Sequence, residues 1–318
     1  MSENPRPLVS VGIPTFNGAN RIEKALSSLL AQDYPNLEII ISDNASIDGT
    51  RELCESYART DHRINYHRQA RNLGLMPNFE YLLHVANGKY FIFLSDDDAM
   101  AENILTDYVD FLESNPDHAM VCGKVNYYLD DKLYECEEGV SLQDNNPMIR
   151  SLKLYQSAKM AGLIHGMFRR DWGNKLRLKS ILGNDWHFIA ALAFKGKIHQ
   201  IDKVGYHKGM DGTSSNFHKY VRTMGENFIW GYMPFGKISL DAFREIFYKE
   251  KVYRSVSLPL RLLSAIYASL SILINYFLII KPKVWAGSLL RSLNIQTPRE
   301  KKMAARESEF FQLEKETV

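Results

Sequence analysis

Three consecutive aspartates, Asp96, Asp97 and Asp98, follow the apolar run Tyr90–Leu94 (YFIFL) with only Ser95 between. Adjacent carboxylates at a strand end repel one another. A hard divalent cation such as Mg²⁺ or Mn²⁺, which favours oxygen ligands, relieves that repulsion. Mg²⁺ uses one or two protein carboxylates when phosphates and waters fill its other positions. A lone acidic triplet reads more simply as a solvated turn. Here, however, two other apolar runs end in polar clusters: Pro14, Thr15 and Asn17 follow Leu8–Ile13, and Asp43 and Asn44 follow Leu37–Ser42. Ligands of open parallel sheets bind beyond the carboxyl ends of the strands. All three clusters are therefore expected on one rim, with Asp43 able to accept hydrogen bonds from a base or a ribose.

The elements that must place these residues alternate in type. Leu8–Ile13 (LVSVGI) and Leu37–Ser42 (LEIIIS) read as buried parallel strands, Ile64–Arg68 as a short third and Tyr90–Leu94 as a fourth. Between them, Ile22, Ala25, Leu26, Leu29 and Leu30 form a helical stripe, with Asn20 as its expected cap and Glu23 in a capping-box position. A second helix is expected from about Arg51 to Ala58. A third opens near Pro77 and ends at Gly88. This βαβα order predicts an α/β fold with a mostly parallel sheet between helices. Further on, the pattern predicts a helix over 102–114 and a strand over 119–128, with residues 130–160 unplaced. It then predicts a strand within 162–169, a helix over 186–194 and a strand over 197–204.

The runs Val9–Asn17 (VSVGIPTFN), Ile40–Thr50 (IISDNASIDGT), Arg71-Asn72-Leu73-Gly74 and Ala86–Asp98 (ANGKYFIFLSDDD) resemble, in order and spacing, the motifs of glycosyltransferase family 2. The resemblance spans about residues 8–210. It implies a Rossmann-like GT-A fold, a nucleoside-diphosphate-sugar donor, Mn²⁺ or Mg²⁺, and inversion at the anomeric carbon. By position it implies that Pro14, Thr15, Asn17, Asp43 and Asp96 bind the nucleotide sugar, Asp43 at the base and Asp96 at the ribose or diphosphate. Arg71 is a possible nucleotide contact or an exposed arginine. Asp97 is implied as the main metal ligand, with Asp98 beside it, although Ser95 replaces the first aspartate of the usual D-x-D-D.

An acceptor hydroxyl needs a base. The family position of that base matches Asp185 in Gly183-Asn184-Asp185-Trp186-His187, with Asn184 where glutamate is usual; on its residues alone Asp185 reads as a helix cap. Arg169 or Arg170 is implied near phosphate, with a surface pair as the alternative. His207, beside Lys208 and the Gly212–Ser215 turn, is a candidate second metal ligand or an ordinary surface histidine.

Composition narrows the class. The chain has 318 residues, 45% of them apolar, and a formal charge of +2, which gives no reason to expect a nucleic-acid partner. Cys54, Cys122 and Cys136 have no metal-type spacing, so a reducing compartment is expected. Met1–Pro7 has no apolar run, and no secretory signal is expected. The Pro14–Gly18 stretch has one glycine and no lysine, which argues against a nucleotidyltransferase phosphate loop.

The catalytic domain is expected over residues 1–215, a donor half to about 100 and an acceptor half beyond. A helical region is expected over 216–318. Within it Leu262–Ile280 carries no charge and is flanked by Arg254, Arg261, Lys281 and Lys283. It can lie in a membrane interface, span a bilayer or pack on the domain. Basic residues on both sides give no orientation. The expected setting is the inner face of the cell membrane, with a glycan or lipid-linked acceptor in cell-surface polysaccharide assembly. A silent nucleotide-sugar-binding or scaffolding homologue is the alternative, and the joint presence of Asp43, Asp96, Asp97 and Asp185 argues against it.

Overall fold

The structure, a computed structural model, describes residues 6–129, 132–157, 163–209 and 221–280. The Gly212–Ser215 turn, Lys281, Lys283 and the tail from Arg299 lie outside these residues. Strands β1 (Val9–Thr15), β2 (Leu37–Asp43), β3 (Ile64–Arg68) and β4 (Tyr90–Phe93) alternate with helices α1 (Ile22–Leu30), α2 (Thr50–Thr60) and α3 (Leu75–Val85). There follow β5 (Ala99–Met100), α4 (Ile104–Ser114), β6 (His118–Leu129), β7 (Lys132–Glu137), α5 (Pro147–Ser157), β8 (Met167–Arg169), α6 (Arg170–Gly173), α7 (Asn184–Lys195) and β9 (Lys197–Gly209). Helices α8 (Pro234–Arg244) and α9 (Leu258–Asn275) close the described chain.

One nine-stranded sheet runs β3-β2-β1-β4-β8-β6-β9-β5, with β7 on β6. β1 pairs in parallel with β2 on one side and β4 on the other, so the strand order reverses at β1. The expected parallel half is therefore present, and the switch-point rule puts a ligand crevice at the carboxyl ends of β1 and β4. The second half is mixed: β8 is antiparallel to both β4 and β6.

Side-chain alternation divides the core into two layers. Val9, Val11, Ile13, Ile39, Ile41, Tyr90, Ile92 and Leu94 face α1, α2 and α4. Ile40, Phe91 and Phe93 face the opposite layer, with α3, α5 and α7. On that side β1 carries Ser10 and Gly12. A Cβ at Gly12 would stand 2.6 Å from the Phe91 ring and 3.1 Å from Leu82, so this strand face stays small where α3 presses on it. Ala265, Ala268 and Ile272 of α9 join this second layer.

Several local expectations change. α1 begins at Ile22 with Arg21, not Asn20, in the cap position, and no side chain caps it. Its first turn closes instead on the Gly18 carbonyl. Glu23 accepts from the Tyr57 hydroxyl at 2.9 Å rather than closing a capping box. The unplaced 130–160 stretch holds β7 and α5, and β9 runs on to Gly209.

Candidate active site

β1, β2 and β4 carry their polar ends to one rim. Asp43 ends β2 fully buried, and each oxygen is taken. Oδ1 accepts from the Ser46 backbone N–H at 2.8 Å and from its hydroxyl at 2.5 Å. Oδ2 accepts from the Tyr66 hydroxyl at 2.7 Å and pairs with Arg68 at 2.8 Å. Tyr66 and Arg68 come from β3, where Arg68 lies in register with Asp43. Burial and the adjacent Asp43 push the Tyr66 hydroxyl far above its usual range, so it donates at any working pH.

The chain after β1 is held by hydrogen bonds on both sides. Pro14 is buried in the strand and pairs with Ser42. Asn17 takes a positive φ of 51°, donates its N–H to Ser46 Oγ at 2.8 Å and accepts from Ile47 N–H at 3.0 Å. Thr15 donates to Asp96 Oδ2 at 2.6 Å. Arg21 grips Asp96 with two donors, each at 3.0 Å, and also binds the carbonyls of Phe16 and Asn17. A Cβ on Gly18 would overlap Thr15 Oγ1 and reach within 2.6 Å of Asp96 Oδ2. Glycine is what allows this loop to close on the carboxylate. Burial still raises the Asp96 pKa, with Arg21 and Thr15 opposing it.

The three aspartates thus have different surroundings. Asp98, expected beside the metal, is fully buried and accepts from Tyr206 at 3.0 Å, Lys208 at 3.3 Å and the Gly209 N–H at 2.9 Å. It ties the aspartate turn to the end of β9. Tyr206 in turn receives the Ser95 N–H at 3.1 Å and stacks on His165 at 3.9 Å. Asp97 is half-buried, and among the described residues no other side chain donates to it. Burial and the neighbouring Asp98 raise its pKa, against Lys208. Such a carboxylate gains most from a cation. No group of three or more His, Cys, Asp or Glu among the described residues forms a complete metal site. A cation at this rim would therefore take Asp97 as a protein ligand and need its other positions filled from outside the described residues.

Asp185 lies within the electrostatic reach of Lys208 at the end of β9. α7 starts two residues before the expected position, at Asn184, with Gly183 in the cap position at φ +67°. Asp185 is thus inside the first turn and is not the cap. Burial raises it to about 6, against the N–H groups of the helix start and the charge of Lys208. Lys208 is near enough to act on Asp97, Asp98 and Asp185 together.

Other candidates fall elsewhere. Arg71 is exposed, while its neighbour Asn72 accepts from Asn44 at 2.9 Å and so holds the loop over β2. Arg169 and Arg170 are neither phosphate ligands nor a free surface pair. Arg169 binds the carbonyls of His118, Leu112 and Asn115, and Arg170 binds that of Gly88. Arg169 pairs with Tyr90 at the start of β4, the rim opposite the crevice. Its guanidinium closes backbone that a helix end leaves unpaired. The His207 ring engages Tyr128 at 3.1 Å, burial lowers its pKa, and among the described residues it belongs to no metal-ligating cluster.

Arg21, Tyr66, Arg68 and Tyr206 are site residues that sequence reading missed. Arg68 had a legible signal, since it ends the third strand where Asp43 ends the second. Arg21 had none, because its partner is 75 residues away.

The chain is similar throughout to known glycosyltransferases. It is 27% identical over 278 residues to the GalNAc(5)-diNAcBac-PP-undecaprenol beta-1,3-glucosyltransferase of Campylobacter jejuni, covering 83% of this chain and 84% of that one. It is 39% identical over 113 residues to the abequosyltransferase RfbV of Salmonella typhimurium, covering 35% and 34%. Among solved structures, the mannosyltransferase PcManGT of Pyrobaculum calidifontis, in complex with GDP-Man and Mn²⁺, superposes with a TM-score of 0.57 at 17% identity, covering 94% of this chain and 84% of that one. S. aureus TarS 1–349 in complex with UDP-GlcNAc superposes at 0.53 and 18% identity, covering 81% and 79%. These likenesses show the GT-A fold. The family model described as glycosyl transferase family 2 matches residues 10–183, more than half of the chain, and the protein belongs to that family of glycan-building enzymes.

Proposed function

We propose that the protein transfers a sugar, with inversion, from a nucleoside-diphosphate-sugar to an acceptor hydroxyl, and that it does so in cell-surface polysaccharide or lipid-linked glycan assembly. One observation carries this reading. Among the described residues Asp97 and Asp185 have no countercharge in direct contact and both lie within the electrostatic reach of Lys208, while Asp43, Asp96 and Asp98 are each tied to an arginine or lysine. The tied carboxylates build the walls of the site, and the two others are left for chemistry.

In this mechanism the β1 and β2 ends, with Pro14, Thr15, Asn17 and Asp43, hold the nucleotide, and Asp96 with Arg21 closes the loop beside it. Asp97 would hold Mn²⁺ or Mg²⁺. When bound, such a cation supplies positive charge where the diphosphate departs. Lys208 adds charge from the end of β9. Asp185 takes the acceptor proton as the hydroxyl oxygen attacks the anomeric carbon from the face opposite the diphosphate. With a pKa near 6 it is ionised at neutral pH yet basic enough to accept a proton in the transition state.

Residues 1–215 form the catalytic unit in this reading, and 216–318 a helical region that attaches the enzyme to the inner face of the cell membrane. The relative from C. jejuni is named for a substrate on undecaprenol, which supports a lipid-linked acceptor here.

A thermal-shift screen with nucleoside diphosphates, with and without Mn²⁺, tests the donor site. Stabilisation by one diphosphate should require the metal and disappear in Asp97→Ala. No shift with any diphosphate in folded protein would favour the silent homologue.

A further inference from the structure

Helix α9 is inverted relative to a helix in a water-soluble protein. Its buried face carries Ser264, Ala265, Ala268, Ser271 and Ile272, whereas Leu263, Ile266, Leu270 and Ile274, with Phe277 and Leu278 in the turn that follows, point outward, each about two-fifths or more exposed. The segment Leu258–Leu278 is long and apolar enough to cross a membrane by length and composition. Its small face is already committed to the domain. Ser239 of α8 and Ser269 exchange reciprocal hydrogen bonds at 2.9 and 2.8 Å, and Asn275 binds the Gln156 carbonyl in the last turn of α5. A helix so attached cannot cross a bilayer without drawing α5 and α8 into hydrocarbon, where Arg150 and Lys153 would have to follow.

The outward face leads to the acceptor side of the active site. α8 and α9 run antiparallel, so the start of α8 lies against the end of α9. There Trp186, next to Asp185, approaches Phe235 at 6.2 Å, and Phe235 stacks on Tyr276 at 4.5 Å. The same end carries exposed Phe228, Ile229, Tyr232 and Met233. A chain of partly exposed aromatic side chains therefore links α9 to Trp186, beside Asp185. Charge favours an anionic partner. No Asp or Glu occurs from Lys251 to Arg299, whereas Lys251 and Arg254 are exposed in the short turn that precedes α9. A contiguous apolar face of this kind marks an interaction surface, and with a basic border it fits an anionic bilayer surface.

We infer that α9 lies in the plane of an anionic lipid surface, its leucine face in the acyl boundary, and that the 228–233 segment sits at the same level. Asp185 then opens toward the bilayer and receives its hydroxyl from a glycan whose lipid anchor stays in the membrane. This deepens the proposed glycosyl transfer and rests on it for the role of Asp185. Vesicle binding itself does not depend on that role.

The test is co-flotation of the full chain with vesicles of phosphatidylglycerol and phosphatidylethanolamine, compared with phosphatidylcholine alone. Binding is expected to favour the anionic vesicles severalfold and to be released by alkaline carbonate. Leu263→Asp/Leu270→Asp should lower the bound fraction at least tenfold, and Lys251→Glu/Arg254→Glu should remove the anionic preference. The Mn²⁺-dependent thermal shift with nucleoside diphosphate should be unchanged in both variants. With Trp172 and Trp285 replaced by phenylalanine, brominated acyl chains should quench Trp230 and Trp186. The inference is overturned by a wild-type chain that does not float, by a leucine variant that floats equally well, by carbonate resistance (a span), by absent quenching, or by a wild-type dimer that the leucine variant dissolves (a second copy). A lost thermal shift with intact flotation would instead overturn the donor-site reading.

Discussion

On the rim made by β1, β2 and β4, Asp43, Asp96 and Asp98 each meet a cation and at least one neutral donor, so their charges are built into the fold. Away from that rim Asp185 sits at the start of α7, with Trp186 and α8 beside it, and burial, with no ion pair among the described residues, raises its pKa to about 6. The two sides illustrate two uses of one side chain. A paired carboxylate holds geometry, and removing its partner leaves a buried charge. An unpaired, partly desolvated carboxylate is poised to take up a proton, and its ionisation costs stability. Asp97 stands between them, on the donor rim but without a donor side chain.

The largest effect expected from this contrast is at Asp185. Asp185→Asn should lower transfer by roughly 10²–10⁴-fold, the span of general-base catalysis, while leaving diphosphate binding intact. The sign for stability is opposite. The folded protein binds the Asp185 proton more tightly than the unfolded chain, whose value is near 3.8. The stabilisation by the protonated form is complete below that value and is lost as pH rises through about 6. At neutral pH the amide should therefore raise stability by about 1–3 kcal/mol, read as a higher Tm. A lower Tm would place Asp185 among the paired carboxylates and break the comparison.

Asp43→Ala belongs on the other side. It leaves Arg68, Tyr66 and Ser46 without their acceptor, and urea unfolding should show a loss of about 2–4 kcal/mol. Donor affinity should fall with it. Next in size is the acid limb of transfer. kcat should fall about tenfold per pH unit below about 6, and that limb should be absent from the residual rate of Asp185→Asn. A limb that persists in the variant would move the titrating group to the donor rim. Smallest in catalysis is Arg169→Ala, which removes a clamp on three backbone carbonyls. It should cost about 1–3 kcal/mol of stability and leave the donor KM unchanged. A raised donor KM would return Arg169 to the phosphate.

The parallel half of the fold was legible because each strand there is a short apolar run closed by polar residues, and a helix of regular period follows it. The antiparallel half was not. β7 is two-sided and partly exposed, and the three residues of β8 carry too few side chains for a pattern. Asp97 and Asp185 were placed by their positions in motifs. The separate surroundings of Asp97 and Asp98 were not legible, because adjacency in the chain suggests shared chemistry, whereas at a strand end successive side chains point to different surroundings.

By itself the sequence determined the family, the parallel core, the set of acidic strand ends and a long apolar segment followed by basic residues. Each of these is local, carried by residue type and period within one stretch of chain. Only the tertiary structure decided which aspartate is tied and which is left open, because Arg21, Arg68 and Lys208 reach their partners from other elements. It also decided that α9 turns its serines and alanines inward and its leucines out. Period alone specifies that a helix has two faces, and packing against α5 and α8 selects the one that is buried.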